Sequence, residues 1–367
     1  MAMARAALAR APPARGTKRH DSAPRSRRAP RRPRAALLPP RRSSDPSTAD
    51  ADAPPLAFPD GDWRNEALVA SLADEGRAHR EALGRACTYA LWLAYDGERY
   101  LGFQYQPRDA KTIQGEVEKA LTKLTGEDRS FLGLAASGRT DSGVHARGQV
   151  VSFHARAPLD ASRMRRALNG MMPADVRCAS ARRVHPAFHA RFHAVRKTYH
   201  YLLDVSEVAD PFMRRHAFHC GWRKRPPTAR ALRDAAAPLV GTHDFSAFAN
   251  ASRDASARGK RDPTRTIFRF DVVELERGLV RLEVEGNGFL YRMVRNMVGA
   301  VLMAATKDRE DPGETTRRLL EGRDRSAAPT AAPAHGLCLH EVVYPEALLT
   351  YREPGEEERE REDANDA

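Results

Sequence analysis

The sequence predicts an α+β fold: two ferredoxin-like β-α-β-β-α-β units, side by side, making one extended and mostly antiparallel sheet with helices packed on it. Three observations carry this. Strand and helix signals between Thr88 and Val184 follow the order β-α-β-β-α-β, and the same order recurs between Thr198 and Tyr344. Within the second, Val280, Leu282 and Val284 alternate with Arg281, Glu283 and Glu285, the pattern of a hairpin that buries one face only.

The first unit opens with Tyr89–Tyr95, an apolar run that reads as a buried strand. Thr112 is a suitable N-cap for a helix with apolar residues at Ile113, Val117, Leu121 and Leu124, and Gly126 supplies its stop. Strands are expected at Phe131–Ala135 and Gln149–Phe153, then a helix from Asp160 to Asn169 stopped by Gly170, then a strand at Val176–Val184. In the second unit Thr198–Val205 is a strand and Ala229–Val240 a helix weakened by Pro238. Ile267–Glu276 pairs with Val280–Glu285 across Arg277-Gly278. A helix follows from Phe289 to Ala305, with Val294, Met297, Val298, Val301 and Leu302 as its core stripe and Arg292 and Arg295 together on another face. A short helix near Glu314–Leu320 and a strand at Leu337–Tyr344 complete the unit.

The 367 residues carry a formal net charge of +13, unevenly spread. Residues 1–44 hold 13 Lys/Arg and one acid among Ala, Pro and Ser, a composition that cannot build a core and suits an organellar transit peptide. That composition gives a chloroplast or mitochondrial address; a basic arm for RNA or nuclear import, with a nuclear or cytoplasmic protein, is the rival. Residues 45–86 are a polar linker with a short helix from Trp63 to Leu83, and residues 351–367 an acidic tail. The folded part divides into subdomains at 87–190 and 191–350. Residues 87–352 retain 42 basic against 30 acidic residues, so a polyanion such as nucleic acid is the favoured partner. No run of eighteen apolar residues is present, which excludes a spanning helix. Four widely spaced cysteines without a Cys-x-x-Cys pair argue against a disulfide framework or zinc ribbon. His185, His189 and His193 have helical spacing, but Pro186 and the lack of interleaved carboxylates speak against a metal site.

The densest cluster of reactive side chains lies between two expected strands, in Ala136–Val150. There Gly138, Gly143 and Gly148 permit unusual backbone, and Arg139 and Asp141 would project to one side if extended. Arg139-Thr-Asp-Ser-Gly-Val-His-Ala146 resembles the signature of the TruA-type tRNA pseudouridine synthases, the pseudouridine synthase I family. Further segments resemble that family in order: Tyr95-Asp96-Gly97 with Gly102-Phe103-Gln104-Tyr105-Gln106, Phe188–Phe192, Lys197–Tyr201, Gly241–Phe245, Gly288–Asn296 and Gly336-Leu337. Ser142, where the family often has Ala, and Ala334, where a second Pro is common, depart from the pattern without removing a functional group.

The resemblance implies the extended two-unit sheet, a homodimer, and isomerisation of uridine in the anticodon stem-loop of tRNA, at positions 38–40. It makes Asp141 the catalytic residue, Tyr199 the ring that packs on the flipped uracil and assists loss of the C5 proton, and Arg139 the side chain that fills the gap in the RNA or binds the adjoining phosphate. Arg295 would pair with Asp141 and hold its rotamer. A carboxylate suits the task because Asp, with a reference pKa of about 3.9, is ionised at neutral pH without a separate base. No cofactor is required, since the reaction changes neither redox state nor water content. His145 is expected to be structural or RNA-contacting. A non-catalytic RNA-binding protein or tRNA chaperone on the same fold, and a synthase of other site specificity, are the competing readings.

Overall fold

The computed structural model describes residues 84–107, 110–221, 226–251, 262–307 and 310–351. The basic leader, most of the linker with its expected helix, and the acidic tail lie outside these residues. Strand β1 (Cys87–Tyr95) is almost wholly buried, as its unbroken apolar run requires. It pairs antiparallel with β3 (His145–Ala155) on one side and β4 (Val176–Val184) on the other. Helix α1 (Ile113–Thr125) has the expected ends: Thr112 accepts from the Gly115 amide, and Gly126 at φ 76° returns its N–H to the Thr122 carbonyl. Ile113, Val117 and Leu121 face the core.

The strand expected at Phe131–Ala135 is displaced. Asp128 caps a one-turn helix α2 (Arg129–Leu132) by accepting from the Phe131 amide, and Gly133 closes it in the left-handed region. Cap chemistry overrides the apolar run, and the strand, β2, shrinks to Ala135–Ala136. It pairs with Ser152 and Val151 of β3. Helix α3 (Ala161–Met171), capped by Asp160, passes through the expected stop at Gly170 and ends one residue later.

The second half contributes β5 (Arg196–Asp204), a two-residue β6 (Phe218–His219), α4 (Ala229–Ala236) and β7 (Gly241–Asp244). It continues with β8 (Thr264–Glu274), β9 (Leu279–Gly286), α5 (Met293–Thr306), α6 (Pro312–Gly322), β10 (Leu337–Val343) and α7 (Glu346–Leu349). Pro238 ends α4 early and the chain tightens into a 3₁₀ turn at Ala237–Leu239. The β8–β9 turn falls at Arg277-Gly278, both with positive φ. Val280, Leu282 and Val284 are buried, while Glu283 and Glu285 on the other face meet Arg269.

The sheet order is β4-β1-β3-β10-β5-β9-β8-β7. β4-β1-β3 with β2 and β10-β5-β9-β8 are two copies of one ferredoxin-like strand order, joined where β10 runs parallel to β3 at Cys338↔His145 and Leu339↔Ala146. The same free edge of β3 thus serves two strands, β2 at one end and β10 at the other, which is why β2 is so short. Gly148 allows the seam to close, because a Cβ there would collide with the His340 carbonyl.

Candidate active site

The loop between β2 and β3 is fixed at both ends by buried polar groups. The Ser137 amide donates to the Val150 carbonyl (2.8 Å), and its hydroxyl donates to Gln149 Oε1 (2.6 Å). Gln149 Nε2 donates to the Gly138 carbonyl (2.9 Å), and the Tyr95 hydroxyl meets Thr140 Oγ1 at 2.8 Å. On the outer side the Phe103 amide donates to the Thr140 carbonyl (3.0 Å), and Ser142 Oγ donates to the Tyr100 carbonyl (3.0 Å). Gly102, at φ 99°, passes so close that a Cβ would meet the Thr140 carbonyl at 2.9 Å. These contacts explain why the Tyr95 and Gly102-Phe103 segments accompany the loop: they form the cradle that sets the backbone of Asp141.

Asp141 points across the seam to α5. Its Oδ2 lies 2.9 Å from Arg295 Nη1 and 3.7 Å from Arg292 Nε. Arg295 is held from behind, with Nε donating to the Ala332 carbonyl (2.8 Å) and its own carbonyl accepting from the Ala332 amide (2.9 Å). One guanidinium edge is therefore spent on the scaffold and the other aimed at the carboxylate. Arg292 is not on the helix face where its spacing put it. Helix α5 starts at Met293, and Arg292 precedes it as an N-cap in the left-handed region, φ 61°. Its Nε is buried without a hydrogen-bond partner.

Tyr199, on β5, is buried, with its ring edge-on to Phe289 at 5.2 Å between centroids. Burial raises its phenol pKa above the usual value, and the nearby Tyr95 and Asp141 push the same way, so it stays a phenol at neutral pH. Two residues earlier Lys197 Nζ donates to the Ser137 carbonyl (2.6 Å), tying β5 to the loop. Arg139 is exposed and, among the described residues, makes no hydrogen bond or ion pair to Asp141 or any other side chain.

His145 is buried at the start of β3, where Nδ1 accepts from the Gly97 amide (3.1 Å) and Nε2 lies 2.9 Å from the Arg215 carbonyl and 3.1 Å from the His335 carbonyl. Asp96 Oδ1 also lies 3.1 Å from Nδ1 and favours protonation, but burial has the larger effect and lowers the ring pKa below its usual value, so this histidine pins three loops together. His185, His189 and His193 lie in turns rather than on a helix, and an Nδ1 atom of each accepts a backbone amide. The four cysteines are free thiols.

Asp141, Arg295, Arg292, Tyr199 and Lys197 thus meet at the β3–β10–β5 seam, an arrangement able to hold an ionised carboxylate beside an aromatic face. The family model described as "tRNA pseudouridine synthase" matches residues 92–193 and 235–345. The chain belongs to the tRNA pseudouridine synthase family. Curated relatives agree: tRNA pseudouridine synthase A 1 of Protochlamydia amoebophila is 42% identical over 256 residues, 70% of this chain and 96% of that protein. The tRNA pseudouridine synthase A of Latilactobacillus sakei is 41% identical over 258 residues, 70% of this chain and 98% of its own. That of Bacillus subtilis is 40% identical over 252 residues, 69% and 97%. As a tRNA pseudouridine synthase, the protein places Asp141 and Arg295 inside the matched segments and Tyr199 and Lys197 between them.

Reading the sequence missed Lys197 and Arg292 as site residues. Lys197 could have been found from its i, i+2 relation to Tyr199 on a strand, which puts both on one face. Arg292 could not, because its position depends on where α5 starts.

Proposed function

We propose that this tRNA pseudouridine synthase isomerises uridines 38–40 of the tRNA anticodon stem-loop, with Asp141 as the catalytic residue. The observation that carries the reading is the Asp141–Arg295 contact of 2.9 Å next to the buried ring of Tyr199. The reaction breaks the bond from ribose C1′ to uracil N1, turns the base, forms the bond to C5 and releases the C5 proton. An aspartate fixed in one rotamer acts on the sugar or the ring as the bond breaks. The target base must first leave the stack, at a cost of a few kcal/mol. The Tyr199 ring offsets this by stacking on the flipped base, worth roughly 1–3 kcal/mol. In this reading Arg139, which is exposed, enters the gap left in the RNA or meets the adjoining phosphate.

The active form in this reading is a homodimer that shares one tRNA, and residues 1–44 direct it to a chloroplast or mitochondrion. The leader precedes the matched segments, and its Arg-, Ala- and Ser-rich, nearly acid-free composition supports that address. Mapping pseudouridine in organellar and cytosolic tRNAs, with and without the protein, tests the reading. Loss of modification at 38–40 in organellar tRNA supports it; unchanged tRNA in every compartment, or loss at other sites only, contradicts it.

A further inference from the structure

Among the described residues Lys197 is a cation without a counter-ion. Strand β5 alternates, and the carboxylates near it lie on one face: Arg196 Nη1 is 3.4 Å from Glu285 Oε1, the Thr198 hydroxyl donates to Glu285 Oε2 at 3.2 Å, and His200 Nε2 is 3.9 Å from Glu283 Oε1. Lys197, Tyr199 and Tyr201 project to the opposite face, toward the catalytic loop and the segment before β10, where Lys197 meets the Ser137 carbonyl and Tyr201 the Pro333 carbonyl. Its cross-strand neighbours are Val342 and Gly286, neither of them acidic. The carboxylate on this side, Asp141, is already engaged by Arg295.

Burial, and after it the charges of Arg191 and Arg265, push the Lys197 pKa down to about 8. Arg265 stands at the start of β8 with Nη1 on the Asp262 carbonyl, and the exposed Asp262 carboxylate feels its charge. Arg191 is exposed beside His189, which burial and the same arginine hold below its usual pKa. A partly buried ammonium held by one neutral carbonyl and under the charge of two arginines is unfavourable in the free protein. An arriving anion relieves it. Lys197 is only partly buried, and the catalytic loop lies directly against it: a Cβ on Gly138 would come within 3.7 Å of Lys197 Nζ.

We propose that Lys197, with Arg191 and Arg265, forms a phosphate-binding recess that takes a backbone phosphodiester next to the flipped uridine. Residues two apart on a strand stand about 6.8 Å apart along it, roughly the base-to-phosphate span of one nucleotide, so Tyr199 takes the base while Lys197 takes the phosphate. The inference rests on the reading that this site accepts a uridine in RNA, and it adds a specific anchor that fixes the ribose over Asp141.

The test uses the full-length protein and an anticodon stem-loop RNA in which single phosphates around the target uridine are replaced, one at a time, by a neutral methylphosphonate. With the wild-type protein one such position is expected to weaken binding about tenfold. With Lys197→Met the same replacement costs nothing further, and the slope of log affinity against log salt is lower by about one. Arg191→Gln, a change at an exposed position whose melting temperature is checked alongside, is expected to remove part of the sensitivity at that position, and Lys197→Arg to retain it. A Lys197 contact that only braces the Ser137 carbonyl would leave the methylphosphonate penalty unchanged in Lys197→Met and Arg191→Gln, and that result overturns the proposal. If the wild-type protein forms pseudouridine normally in the unmodified RNA but no neutral linkage matters, the recess is refuted while the proposed function stands. Wild-type protein that makes no pseudouridine in that RNA overturns the proposed function, and the recess with it.

Discussion

Arg295 Nη1 and Asp141 Oδ2 meet at 2.9 Å although 154 positions separate them in the chain. The contact spans the seam between the two ferredoxin-like halves, with the carboxylate coming from the first and the guanidinium from the second. Because Arg295 Nε is fixed on the Ala332 carbonyl, the planar group both supports and aims. Arg295→Lys keeps the charge but has no second edge, so it cannot hold both partners. Single-turnover pseudouridine formation should slow by about 100-fold, the scale expected for a displaced catalytic group. tRNA affinity should change no more than severalfold. A near-normal rate in Arg295→Lys would show that the fork geometry is irrelevant.

Arg292 gives the opposite balance of stability and activity. It holds a left-handed backbone at φ 61° and a buried Nε that, among the described residues, makes no hydrogen bond and only the 3.7 Å ion pair to the same carboxylate. Arg292→Gly removes both costs at a position where glycine is also an acceptable N-cap. A gain of about 1 kcal/mol, or about 2–4 °C in melting temperature for a domain of this size, is expected. The rate of the chemical step should fall, because strain is tolerated where it serves a site. A lower melting temperature for Arg292→Gly would contradict this account.

These two arginines also show how far the sequence was legible. Motif order and hydrophobic period gave both β-α-β-β-α-β units, the α1 caps and the Arg277-Gly278 turn, because each depends on local chemistry. The Arg295–Asp141 pair came from resemblance, and the structure provides its scaffold in the Ala332 carbonyl. Three features were hidden. β2 was misplaced because whether an apolar run pairs depends on who else occupies the β3 edge, and β10 takes half of it. The short β7 carried too few residues to show alternation. Arg139 was expected to project to the side of Asp141 on the assumption of an extended loop, and it is exposed, with no ion pair to Asp141 among the described residues.

Histidines set the acid limit of stability. Burial lowers the pKa of His145, His189, His335 and His340 below the usual value, and brings His193 and His200 down to about 4. Their folded-state values lie below the unfolded reference of about 6.5, so the unfolded chain binds more protons between those limits. Stability should be complete above pH 6.5 and decline as pH falls toward 4. Between pH 6.5 and 5, above the carboxylate range, the fall in melting temperature should be smaller in His200→Gln, which removes the ring stacked on His340 and facing Glu283. A melting temperature constant across pH 6.5 to 5 would refute this.

Binding of tRNA should be strongly electrostatic, since residues 87–352 hold 42 basic and 30 acidic side chains. Log affinity should fall linearly with log salt, with a slope reflecting several neutralised phosphates. An affinity unchanged between low and physiological salt would argue against backbone contacts as the main source of binding.

The central claim is that Asp141 performs the chemistry rather than merely bracing the fold or the RNA. Asp141→Asn preserves size and removes the anion, but it leaves Arg295 without its partner, so the melting temperature must be measured on the same sample. The decisive measurement is single-turnover pseudouridine formation in an anticodon stem-loop RNA by folded Asp141→Asn protein at saturating enzyme. A rate lower by many powers of ten, with RNA affinity equal to or above that of the wild type, is the predicted result. A folded, RNA-binding Asp141→Asn variant that forms pseudouridine at close to the wild-type rate would contradict it.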